Sequence, residues 1–210
     1  MRGLGNPDSK IYAVLNKLTL LMELNLLVVL CCLPVITAGA ALSSMHAVLL
    51  KIYRNEEKRV VSDFFQAFKS NLKNGTVLWV LFLFGFGLLT GLGLTAVRTV
   101  PDEAVFVVFV LLILAVLGVL YLSWALILQS RYVYTIPQCL KYALLAWLKY
   151  PGSTFVYLIS AAIPVMLCCY LPLLPFVIFL GITLPQFIST TLYSRVFDQM
   201  EGVPARLPKL

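Results

Sequence analysis

Histidine occurs once, at His46, and aspartate and glutamate together number nine. The chain is therefore short of the side chains on which most acid–base and metal chemistry depends. A lone histidine cannot build a metal site by itself. There is also no HExxH, no GxSxG, no Walker lysine loop and no phosphate-binding glycine fingerprint. The five cysteines stand as Cys31-Cys32, Cys139 and Cys168-Cys169, without CxxC spacing. Adjacent cysteines inside apolar runs make no disulfide framework and read as small packing residues. The expectation is a non-enzymatic protein, with no catalytic, cofactor-binding or metal-ligating residues and no cofactor.

Charge is scarce as well. Charged residues make up 12% of the chain and hydrophobic ones 61%, with a mean hydropathy of +0.95, against about 25% charged in soluble proteins. This composition describes a polytopic, all-α integral membrane protein, because a chain in lipid must satisfy its own backbone. The net charge of +7 comes from basic residues scattered between apolar segments. They read as topology signals and not as a nucleic-acid footprint. Ala38-Gly39-Ala40 faintly resembles a signal cleavage site, but the apolar run continues past it, so no cleavage is expected.

What is present in abundance is long apolar sequence, read as a single membrane domain over residues 1–210. The stretch 18–50 is too long for one crossing of about 20 residues, and Pro34 divides it into two nearly equal arms. It is read as a first hairpin, with Pro34, Thr37 and Gly39 as its turn signature: proline ends an arm, threonine satisfies freed backbone, and glycine permits a tight reversal or close packing. An amphipathic helix is expected over 60–74, with Ser62 as N-cap, Asp63 at the positive end of its dipole and Gly75 as its stop. A second hairpin follows over 76–128, turning at the polar VRTVPDE. Gly87 and Gly91 form a GxxxG spacing expected to pack helices inside the protein, with self-association as the weaker use. A second amphipathic helix is expected over 137–150, opened by Pro137, and a third hairpin over 153–194, with Pro164 and Pro185 inside its arms. A polar tail, 195–210, completes the chain.

Six membrane segments in three hairpins put both termini on one side of the membrane, together with fifteen of the sixteen Lys and Arg residues; only Arg98 lies opposite. A five-span alternative, in which the first stretch crosses once, gives twelve against four. The positive-inside rule favours the hairpins, with both termini and both amphipathic helices cytoplasmic. In a third reading the second arm, rich in Ala, Gly and Ser, is partly re-entrant.

Few polar residues interrupt the apolar runs. Glu23, Asn25 and His46 form a candidate intramembrane polar site, since ionisable groups in lipid are costly and often functional. The bland readings are an interfacial partner of Lys17 for Glu23 and a hydrogen-bonded packing residue for His46. Phe64, Phe65, Phe68 and Lys69 are candidates for contact with a partner or with the membrane surface.

Asn25-Leu26-Leu27, the stretch Leu33-Pro34-Val35-Ile36-Thr37-Ala38-Gly39-Ala40-Ala41, then Lys51, Arg54, Asp63-Phe64-Phe65, Phe68-Lys69, Asn71 and Leu78-Trp79 together resemble the YesL family of bacterial membrane proteins. The resemblance covers the first 80 residues; beyond them only length and hydropathy agree. It implies residence in a bacterial cell membrane and association with carbohydrate ABC importers, whose genes typically lie beside those of the family. The importer permease subunits are then the expected partners, besides the lipid bilayer. An ordinary permease is not expected, because the EAA-type loop that docks on the ATPase is missing. The leading expectation is a non-catalytic accessory subunit that stabilises or regulates the permease. The alternatives are a stand-alone small-solute transporter or channel, and a membrane scaffold or sensor.

Overall fold

The first arm forms helix α1 (Lys10–Cys32), which ends where Pro34 removes a backbone donor. The computed structural model describes residues 10–56, 59–99, 104–132, 134–168 and 177–200. A short 3-10 turn, Val35–Thr37, leads into α2 (Ala38–Arg54). The Thr37 hydroxyl lies 2.9 Å from the carbonyl oxygens of both Cys31 and Pro34, so it satisfies backbone freed at the turn. α2 ends on Asn55, whose φ of 54° is a left-handed cap, with the Glu56 N–H donating to the Lys51 carbonyl at 2.9 Å.

α3 (Val60–Thr99) is one continuous helix of 40 residues. The expected stop at Gly75 does not occur. The reason is tertiary: a Cβ on Gly75 would lie 2.9 Å from Cα of Ala40, and one on Gly39 would lie 2.5 Å from Cβ of Trp79. Glycine is required at both positions for α2 and α3 to touch, and the helix runs on through the contact. Ser62 accordingly lies inside the first turn, while Asp63 pairs with Lys51 at 2.6 Å.

α4 (Ala104–Arg131) returns along α3, with Gly118 beside Phe82 and Gly93 beside Leu111. The two contacts run in opposite directions along the two helices, so α3 and α4 are antiparallel. By the same test, Gly39 beside Gly75 and Lys51 beside Asp63 make α2 antiparallel to the first half of α3.

α5 (Ile136–Lys149) begins one residue before Pro137, with Thr135 and Gln138 forming a capping box. α6 (Pro151–Cys168) follows at a bend of 103°. Trp124 donates to the Thr154 hydroxyl at 2.8 Å, and Cys139 to the Ala125 carbonyl at 3.2 Å, so both helices are fixed to α4. The expected turn of the third hairpin lies outside the described residues, as do Asp102, Glu103 and the chain beyond Met200. A π-helical turn, Val177–Gly181, precedes α7 (Thr183–Met200). Pro185 therefore sits in the first turn of a helix, where a missing N–H costs little, and not inside a continuous membrane arm. α7 also takes in residues 195–200 of the expected tail.

No strand occurs among the described residues. α1, α2 together with the 3-10 turn before it (Val35–Arg54), α3 and α4 are each long and apolar enough to cross a membrane, and the bent α5–α6 pair adds a fifth span if taken as one. Two buried clusters hold the helices together. One joins α1, α2 and the start of α3 through Leu24, Val28, Met45, Ile52 and Phe64; the other joins α4, α5 and α7 through Trp124, Ile127, Ala143 and Phe197.

Candidate functional site

Asn25 and His46, both fully buried, organise the polar interior, and they do so at two separate places. Asn25 holds the start of α7. Its side-chain nitrogen donates to the Ile178 carbonyl at 2.6 Å, and its oxygen accepts from the Ile182 and Thr183 N–H groups at 3.1 and 2.9 Å. The Thr183 hydroxyl donates back to the Leu21 carbonyl at 3.0 Å. A π-helical turn leading into a new helix leaves backbone groups unpaired, and one amide side chain with a donor and an acceptor meets three of them.

His46 projects from α2 between α6 and α7. Nε2 lies 3.2 Å from the Tyr157 hydroxyl and Nδ1 3.5 Å from the Tyr193 hydroxyl. Tyr193 in turn lies 2.7 Å from the Thr190 hydroxyl, which donates to the Gln186 carbonyl at 2.8 Å. Each hydroxyl has a single proton. Because Thr190 gives its proton to a carbonyl, Tyr193 must give its own to Thr190. His46 thus stands between two buried hydroxyls, Tyr193 at Nδ1 and Tyr157 at Nε2, and Tyr157 has a further partner in Ser123, whose own proton goes to the Val119 carbonyl at 2.7 Å. Tyr157 and Gln186 also border an apolar cavity of about 440 Å³ with Leu42, Phe82, Leu122 and Pro164 on its walls.

Glu23 joins neither group: it is exposed on the outer face of α1. The three polar residues of the first half thus do not form one site, because only Asn25 and His46 point inward. Among the described residues no cluster of His, Cys, Asp and Glu is placed to hold a metal ion. The structure adds partners that sequence reading did not pick out: Tyr157, Tyr193, Thr190 and Gln186 for His46, and Thr183 for Asn25. Nothing local marks them, although Thr190 and Tyr193 sit three apart on one helix face.

A buried ion pair closes the opposite end of α2. Arg54 and Asp198 meet at 2.7 Å, with side chains 10% and 3% exposed. Of the aromatic candidates, Phe64 is fully buried in the first-hairpin cluster and stacks on Phe68, with ring centroids 5.9 Å apart. It is a core residue and not a contact surface. Phe65 is exposed, Phe68 half-buried and Lys69 exposed. Gly87 and Gly91 do not mediate packing among the described residues: a Cβ on either would meet nothing within 4 Å.

These helices are compatible with a multi-pass membrane protein. A family model described as "Protein of unknown function, DUF624" matches residues 21–91, roughly a third of the chain. That segment runs from α1 through most of α3. It contains Asn25, Gly39, His46 and Gly75 but none of the tyrosines that bind His46. No curated protein and no solved structure matches.

Proposed function

We propose that the chain is a YesL-type accessory subunit of the bacterial cell membrane, which associates with a carbohydrate ABC importer and stabilises or regulates its permease. The DUF624 match covers the stretch that resembles the YesL family. The observation that carries the reading is a stripe on the first half of α3. Val61, Phe65 and Leu72 are exposed at helical spacing, with Lys69 and Lys73 beside them. Exposed apolar side chains on an otherwise polar helix face mark a surface that a protein partner or a membrane covers, and this reading takes the partner. Both termini and this stripe then face the cytoplasm. Tagged protein purified in mild detergent is expected to retain permease subunits and to lose them on Phe65→Ala with Leu72→Ala. Retention of no permease by the unaltered protein overturns the proposal.

The cavity beside Tyr157 and Gln186 favours a second reading, a stand-alone small-solute transporter. Its test is solute flux into liposomes that contain this protein alone, abolished by Tyr157→Phe.

A further inference from the structure

The 40 residues of α3 measure about 60 Å at 1.5 Å per residue, twice the bilayer hydrocarbon core of about 30 Å. One half of this helix must lie outside the lipid core, and the sequence decides which. Residues 60–75 include Asp63, Gln66, Lys69, Asn71, Lys73 and Asn74, whereas 76–97 carry no charge at all.

The two halves differ in what covers them. The apolar half runs beside α4, and the pair stands largely bare: Phe84 is 75% exposed and Val105 81%. From Phe82, level with Gly118, to Thr99 the paired length is about 26 Å, close to the thickness of the hydrocarbon core. The polar half runs beside α2. Gly39 meets Gly75, Lys51 meets Asp63, and Phe64 is buried among residues of α1 and α2. The first hairpin therefore lies level with the polar half of α3 and not with the bare pair.

We infer that the α3–α4 pair crosses the bilayer while the α1–α2 hairpin stays on the cytoplasmic face and enters the inner leaflet only at its tip. Leu33, Val35 and Ile36 form that tip. They are exposed and apolar, and they lie where the hairpin reaches the foot of the bare pair, next to Gly39 and Trp79. Glu23, exposed on the outer face of α1, then faces the aqueous side, whereas in a spanning hairpin its carboxylate would face lipid, a costly placement. Arg98 alone among the described Lys and Arg residues lies at the far end of the bare pair. The others gather on the side of the first hairpin, where anionic inner-leaflet lipids attract them. The partner that this surface fits is thus the inner leaflet.

The test is labelling with a membrane-impermeant maleimide, using single cysteines at positions 23, 36 and 98 in a background with all five native cysteines changed to alanine. Arg98→Cys is expected to react in intact cells, Glu23→Cys at least tenfold more in inverted vesicles than in intact cells, and Ile36→Cys not from outside. Reaction of Ile36→Cys from outside overturns the inference, as does protection of Glu23→Cys on both sides. If the cysteine-free background fails to fold, unaltered protein in liposomes containing a lipid with a diazirine in its acyl tail answers the same question. Adducts are expected at 33–36, 80–99 and 104–118; adducts along 12–23 overturn it.

Discussion

Gly39 in α2 and Gly75 in α3 touch backbone to backbone: a Cβ on Gly39 would overlap the carbonyl oxygen of Gly75. This contact fixes the first hairpin against one level of a 40-residue helix. Forcing a methyl group into it is expected to cost about 1–3 kcal/mol, the range for overpacking a tight core. Gly39→Ala and Gly75→Ala should each lower the melting temperature in detergent. Gly87→Ala, with open space around it, should leave it unchanged or raise it, since alanine favours helix over glycine by about 1 kcal/mol.

Asn25→Leu removes the partner of three backbone groups at the start of α7. A buried polar group left unpaired costs about 1–3 kcal/mol. Hydrogen exchange is expected to rise first across 177–186 and to leave α3 unaffected. Asn25→Asp keeps an acceptor for the Ile182 and Thr183 N–H groups and should restore part of the protection there.

His46 sits between two tyrosine hydroxyls, Tyr193 at Nδ1 and Tyr157 at Nε2. Nitrogen-15 shifts of the labelled imidazole are expected to respond to the two hydroxyls separately. Tyr157→Phe removes the neighbour of Nε2 and Tyr193→Phe that of Nδ1, so each should move mainly the shift of its own nitrogen. Shifts unmoved by either variant would show that these hydroxyls do not bind the ring.

Arg54 and Asp198 tie the end of α2 to the end of α7 inside the protein. Breaking a buried pair at one partner typically costs about 3–5 kcal/mol, whereas replacing both partners with apolar residues is often nearly neutral. Asp198→Leu alone should therefore destabilise strongly, and Arg54→Met with Asp198→Leu should recover most of the loss. Equal losses in the single and double variants would show that the two side chains are not coupled.

Much of the helical order was legible because its signals are local. Pro34 ends the first arm, and α2 begins within four residues. Pro137 sits in the first turn of α5, and Thr135 caps that helix. Gly75 misled for the same reason. A glycine after Lys73-Asn74 has the local signature of a helix stop, but here it is needed by α2, 36 residues earlier in the chain. Phe64 stood beside Phe65 and Phe68 as a contact candidate, and periodicity cannot tell a face buried by the protein's own helices from one left for a partner. Asn25 and His46 were legible as unusual residues, but their partners lie more than 100 residues away. The division of α3 into a polar and an apolar half was visible as composition; only the register of α2 showed which half the first hairpin covers.

The continuity of α3 carries the rest of this architecture, and one distance tests it. Spin labels at Ser62 and Arg98, both exposed, are separated along an unbroken helix by about 54 Å at 1.5 Å per residue. Pulsed electron resonance in lipid nanodiscs is expected to give a single narrow distribution near that value. A distribution centred below about 40 Å would mean a helix that ends or folds at Gly75, and would contradict the placement of the first hairpin beside its polar half.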